Sequence, residues 1–184
     1  APRRTPFHAP LHGEKADVPV LLIGAGTGVS PFIGFLQQRR AAMLSSTLSS
    51  SHPAKWWLVA GFRDDTDNSF AAELEAAATE RLGESRTAVL DRLDVCYSRP
   101  PKPRPGTMAF FTGVTEQGKY VQSVVAENAA AVRCLLLERR GQCFVCGGGA
   151  MARGVRCAMQ TALGGEDALF ELMRAGQYVE ESWG

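Results

Sequence analysis

Residues 18–44 constrain this chain more than any other stretch. Val18-Pro-Val-Leu-Leu-Ile23 is an apolar run of strand length, followed at once by Gly24-Ala-Gly-Thr-Gly28 and then by a segment of helical spacing. A strand apolar on both faces suits the centre of a parallel sheet, where helices cover both sides. Pro31 fits a first helical position and Ser30 its cap, which predicts a helix from about Pro31 to Leu44. Strand, glycine turn and helix together form an anion cradle: the backbone can approach a ligand closely, and the helix N-terminus points amides at it. The spacing is Gly-x-Gly-x-Gly, not the usual Gly-x-Gly-x-x-Gly, so a tight turn without a ligand stays open as the alternative.

The same alternation runs through the rest of the chain. Strands are predicted at 55–60, 93–97 and 142–146, and helices at 70–82, 120–140, 151–163 and 167–174. Residues 177–183 read as a short extended tail, 45–53 as a serine-rich loop and 99–118 as a long proline-rich loop. The expected fold is α/β: a doubly wound, mostly parallel sheet with helices on both faces and right-handed crossovers. With 184 residues, 45% of them hydrophobic, one domain can bury a real core. Residues 18–184 are assigned to that domain. Residues 1–17, which mix proline, charge and two histidines, are read as a linker from a missing upstream flavin-binding domain; the chain opens on Ala1 and is expected to be part of something longer.

A formal charge of +1 gives no electrostatic ground for nucleic acid as a partner. Apolar runs shorter than about ten residues do not span a bilayer, and no signal peptide is visible. Five cysteines in a chain able to build a core are read as reduced thiols. His8, His12 and His52 lie in loops without ligand spacing, so no metal site is expected. No nucleophile elbow surrounds any serine, which disfavours a hydrolase.

In doubly wound sheets, ligands bind beyond the carboxyl ends of the strands. Ser98 and Arg99 end the third strand, where a hydroxyl and a guanidinium suit a phosphate. Arg63 ends the second, and either reaches a phosphate or pairs with Asp64 or Asp65. Cys146 ends the fourth. It is a buried structural thiol, a reactive group or, with Cys143, half of a dithiol; the last is disfavoured because strand residues three apart face opposite sides.

Gly24-Ala-Gly-Thr-Gly-Val-Ser-Pro31 followed by Phe32-Ile-Gly-Phe-Leu-Gln37 resembles the start of the pyridine-nucleotide domain of ferredoxin-NADP reductases, and most of all the diflavin, cytochrome P-450 reductase-like branch. Gly61-Phe-Arg63 with Asp67 and Phe70, Tyr97-Ser-Arg99, Lys119-Tyr-Val-Gln122, and Phe144-Val-Cys-Gly147 with Met151-Ala152 follow in the family's order, and Trp183 stands one residue from the end. The resemblance covers about residues 18–184. It implies an NADPH-binding domain of a flavoprotein oxidoreductase. Hydride would pass from NADPH to FAD, and electrons through FMN to an acceptor protein such as a cytochrome or an iron–sulfur protein.

The resemblance also implies the site. Gly26, Thr27, Gly28 and Pro31 would cradle phosphates. Arg63, Ser98, Arg99 and Lys119 would meet the phosphates, Tyr120 would stack on adenine, and Gln122 would add a polar contact. Gly147 and Met151 would lie along the cofactor. Cys146 would stand beside the nicotinamide, Glu181 would favour its developing positive charge, and Trp183 would cover the flavin until displaced; Glu180, next to Glu181, competes for the carboxylate role. FAD- and FMN-binding domains of the same chain would be the partners. The location would be cytoplasmic, or the cytoplasmic face of the endoplasmic reticulum where an anchor is carried. Departures from the pattern are Phe62 for a common cysteine, Gly148 and Gly154 for acidic residues, and Lys119 adjacent to Tyr120 instead of two residues ahead. A single-flavin reductase and a binding-only module are the alternatives.

Overall fold

The computed structural model describes residues 7–11, 17–45, 54–82, 86–99 and 116–184. His12, His52 and most of both predicted loops lie outside these residues. Six strands form one sheet: β1 (Val20–Ala25), β2 (Trp56–Phe62), β3 (Arg92–Tyr97), β4 (Glu116–Gln117), β5 (Gln142–Gly148) and β6 (Tyr178–Trp183). Their order is β4-β3-β2-β1-β5-β6, and every neighbouring pair is parallel. The chain therefore winds outward from β1 to one edge, then returns and winds from β5 to the other. The reversal falls between β1 and β5.

Alternation along β1 explains both layers. Val20 and Leu22 face one core with α1 (Ser30–Leu44) and α2 (Ala71–Thr79). Leu21 and Ile23 face the other, with α3 (Val121–Glu127), α4 (Ala129–Arg133), α5 (Gly149–Leu163) and α6 (Glu166–Arg174). All four residues are fully buried, as a central parallel strand requires.

Three expectations need correction. The single helix predicted over 120–140 is broken: α3 stops at Glu127, α4 restarts at Ala129, and a π-helical stretch covers Cys134–Glu138. The break falls at Asn128, whose side-chain amide donates back to the Val124 carbonyl at 2.8 Å alongside its own backbone N–H at 3.1 Å. The tail is extended, as read, but it is not only a tail: it is β6, paired along its whole length with β5. The end of the predicted loop over 99–118 supplies the two-residue strand β4.

Part of the stretch read as a linker also joins the core. Phe7 packs against Phe32, Phe35 and Phe144, with ring centroids 5.5–5.8 Å away, and Ala9 is buried beside them.

Candidate functional site

The glycine turn sits at the switch point. Gly26–Val29 forms a 3-10 turn that runs straight into α1. Ser30 does not cap that helix: its φ of −53° and ψ of −46° are already helical, its N–H donates to the Thr27 carbonyl, and Val29 holds the cap position without a side-chain bond. Pro31 does occupy the first turn, where its missing N–H costs nothing. The glycines serve different ends. Gly26 adopts φ +56°, and a Cβ there would meet nothing within 4 Å, so it is a conformational glycine facing open space. Gly28 is buried, and a Cβ there would lie 2.1 Å from the Cys146 carbonyl oxygen. It lets the turn press against the end of β5. Thr27, between them, is exposed.

A cleft of about 400 Å³ opens at the carboxyl ends of β1, β2 and β3. Of the residues named from sequence, Gly26, Arg63, Ser98, Lys119, Tyr120, Gln122 and Met151 line it; Ala25, Gly61, Phe62, Asp67, Val121 and Ala150 complete the wall. The β2–β3 ladder continues past the strand ends, with Ser98 N–H donating to Phe62 O at 3.0 Å and Arg99 N–H to Arg63 O at 2.8 Å. Arg63 and Arg99 thus leave the sheet side by side, both exposed, and make a positive rim. Arg63 pairs with Asp67 at 3.8 Å, not with Asp64 or Asp65. Asp64 is buried and accepts from the Thr66 N–H at 3.0 Å. The exposed Arg63–Asp67 pair contributes little to stability, so an incoming anion can replace the carboxylate.

The Tyr120 ring is 56% exposed at the cleft, available for stacking. Gln122 presents an orphan acceptor: its Oε1 is buried and accepts no hydrogen bond. Leaving such an atom unsatisfied costs on the order of 1–3 kcal/mol, which favours a ligand that donates there. Gly154 makes room for this side chain; a Cβ at that position would lie 3.1 Å from Gln122 Cδ.

Cys146, Gly147, Glu181 and Trp183 lie outside the cleft wall, on the adjoining strands. Gly147 links the two regions, since a Cβ there would strike Met151 Cε at 2.2 Å. The β5–β6 register places Cys146 opposite Glu181 and Gly148 opposite Trp183. Cys146 belongs to the layer of α1 and α2, with Phe144 and Val179; strand alternation puts Glu181 and Trp183 on that side too. Glu180 turns the other way, accepting from Arg156 Nη1 at 2.6 Å and from the Tyr178 hydroxyl at 3.2 Å. Of the two glutamates, only Glu181 shares a face with Cys146.

Burial, helped by the Glu181 charge, pushes the Cys146 thiol up to about 11. Cys143 sits in the opposite layer, and burial raises its thiol as well. The two do not form a dithiol pair, and both are free. Trp183 is 49% exposed. Sequence reading missed Phe7 and the sheet role of β6; the aromatic at position 7 was the available signal for the first, and the Tyr178-Val179 pair, both buried, for the second.

The sequence profile of the oxidoreductase NAD-binding domain matches residues 22–157. The chain is 34% identical over 153 residues to methionine synthase reductase of Mus musculus, covering 80% of this chain and 18% of that protein. It is 31% identical over 191 residues to the bifunctional cytochrome P-450/NADPH–P-450 reductase 1 of Bacillus subtilis (strain 168), covering 98% and 16%. It is 30% identical over 146 residues to the sulfite reductase [NADPH] flavoprotein alpha-component of Thiocapsa roseopersicina, covering 79% and 22%. The chain thus spans about a fifth of the length of these relatives.

Proposed function

Because the chain belongs to the oxidoreductase NAD-binding domain family and is homologous to diflavin reductases, we propose that it binds NADPH along the carboxyl edge of its sheet and presents the nicotinamide to a flavin. One observation carries this reading: five separate chain segments bring Gly26, Arg63, Ser98, Lys119, Tyr120, Gln122 and Met151 to a single cleft at that edge.

The residues fit the nucleotide. The cleft volume suits an extended ligand portion, Gly26 leaves open space for a phosphate, and Gln122 Oε1 awaits a donor such as an adenine amino group. When bound, NADPH would supply a hydride for FAD, and FMN would be the one-electron carrier toward an acceptor such as a cytochrome. In the protein's own part of this chemistry, Arg63, Ser98 and Arg99 hold phosphate by charge-assisted bonds, and Tyr120 covers the adenine. The Cys146 thiol stays protonated near neutral pH and so packs against the nicotinamide without adding charge. The Glu181 carboxylate favours the positive charge that grows on the ring. Trp183 would cover the flavin and would have to yield its place to the nicotinamide. FAD- and FMN-binding domains of the same protein are the partners in this reading, and the acceptor docks outside these 184 residues.

Calorimetry on the 184-residue chain with NADP⁺ and 2′,5′-ADP tests the proposal. Saturable heat with both, and weaker binding of 5′-AMP, is expected; no heat with either would end it. A second reading, binding without turnover, draws on Gly148, where a side chain has room (Trp183 O is 4.0 Å from a Cβ) and none is present. Nucleotide binding without FAD reduction in a flavin-bearing form would select it.

A further inference from the structure

Among the described residues, the wall of the cleft carries one carboxylate. Asp67 lines it together with Arg63, Ser98 and Lys119, where a ligand rich in phosphate meets repulsion from it. The fold does not depend on that carboxylate. Asp67 ends the 3-10 turn Asp65–Asp67, which its neighbours hold on either side. The buried Asp64 caps the turn by accepting from the Thr66 N–H, and the buried Asn68 accepts from the Phe70 N–H at 3.3 Å and donates to the Tyr97 hydroxyl at 3.5 Å. Asp67 serves the turn through its backbone, its N–H donating to the Asp64 carbonyl at 3.2 Å and its carbonyl accepting from the Ser69 N–H at 3.0 Å. Its side chain meets Arg63, and at 3.8 Å the two form an ion pair without a hydrogen bond. The pair is open to solvent, with the arginine 60% and the aspartate 48% exposed.

We propose that Asp67 is a specificity-setting residue that reads ligand charge: its carboxylate offsets the Arg63 cation and repels phosphate, so the cleft holds multiply charged adenosine phosphates less tightly than its basic residues alone would. The inference rests on the cleft being the nucleotide site. No side chain has to move for it, because Arg63 and Asp67 both border the cleft already. A phosphate that takes up Arg63 displaces the carboxylate from its partner and keeps it as a neighbour. An exposed charge of this kind acts on binding by about fivefold, equivalent to about 1 kcal/mol. The effect grows with the charge of the ligand, and salt screens it. The opposite role for an acceptor at this place is a hydrogen bond from a ligand hydroxyl, which would strengthen binding.

The test is calorimetry of 2′,5′-ADP and of the less charged 5′-AMP against the 184-residue chain. Asp67→Asn is expected to tighten 2′,5′-ADP about fivefold and 5′-AMP about twofold, with the gap to the native chain closing as salt rises from about 50 mM to about 500 mM. Asp67→Glu, which keeps the charge, is expected to stay within about twofold of native for both probes. Glu75→Gln makes the same change of net charge on the exposed side of α2, outside the cleft wall, and is expected to leave both affinities unchanged. Weaker binding of both probes in Asp67→Asn would assign the carboxylate to a ligand hydroxyl and overturn the repulsive role; unchanged binding overturns it too, and in both cases the cleft assignment stands. An equal gain in Glu75→Gln also overturns it, since the effect would then be one of net charge. If the native chain binds neither probe, the nucleotide reading falls and this inference with it.

Discussion

Cys146 and Glu181 stand opposite one another in register on the parallel strands β5 and β6, on one face of the sheet. Their proximity has a pH signature. The Cys146 thiol is raised from 9.0 to about 11, first by burial and then by the Glu181 charge. Between those values the unfolded chain ionises this thiol and the folded chain does not. Its stabilising contribution is therefore complete below pH 9 and is lost as pH rises toward 11. At pH 8 the folded thiolate fraction is about one in a thousand, whereas Cys157 is exposed. Iodoacetamide at pH 8 is expected to label Cys157 first, with Cys146 at least about a hundredfold slower. Peptide mass spectrometry measures the order, and rapid labelling of Cys146 would contradict its burial. Glu181→Gln should lower the Cys146 pKa yet leave it above 9, because burial is the larger cause.

Arg99 is expected to discriminate between phosphorylated and unphosphorylated ribose. Its N–H is fixed to the Arg63 carbonyl while its side chain is exposed on the rim. Arg99→Ala should weaken NADP⁺ binding about tenfold or more and NAD⁺ binding by less than about twofold, since a charge-assisted phosphate contact contributes on the order of 1.5–3 kcal/mol. Equal losses in calorimetry would remove the 2′-phosphate role.

The turn glycines separate into a packing and a binding position. Gly28→Ala places a methyl 2.1 Å from a backbone oxygen and should cost about 3 kcal/mol, read as a lower unfolding midpoint in urea. Gly26→Ala meets no neighbour but keeps φ +56°, so about 1–2 kcal/mol of stability is lost. Its methyl enters the open space of the cradle, and nucleotide affinity should drop. Full binding by a folded Gly26→Ala protein would argue against the cradle.

Trp183→Ala is expected to change stability by less than about 0.5 kcal/mol, because the side chain is half exposed. In a flavin-bearing form of the protein it should relax the preference for NADPH over NADH, as no ring then has to be displaced. Steady-state kinetics with both nucleotides reads this, and an unchanged ratio would count against the gate.

Phe7→Ala should cost about 2–3 kcal/mol by emptying a place among three aromatic rings. Thermal unfolding checks it. A change below 0.5 kcal/mol would mean that residues 7–11 behave as the free linker their sequence resembles.

The sequence by itself determined the alternation of elements, hence a doubly wound sheet, and the strand ends that line the cleft. That follows because apolar runs such as 18–23 and the glycine turn after them obey local rules of burial and backbone freedom. It also separated Cys143 from Cys146, through nothing more than the two-residue period of a strand. Other features needed the folded chain. Whether residues 177–183 trail in solvent or close the sheet depends on hydrogen bonds with β5, a partner more than thirty residues away. That register also decides that Glu181, not Glu180, shares a face with Cys146. Arg39 is buried on α1, with its guanidinium 4.6 Å over Trp56 and its Nη2 donating to the Ala54 carbonyl at 2.6 Å, contacts that exist only once β2 is in place. The destination of the Lys119 ammonium likewise depends on the turn of α3 that brings Glu127 within reach. Local patterns encode which elements form and which way their faces point, because those energies are summed over neighbours along the chain. Pairing between distant segments is decided only when folding brings their charges and strand edges together.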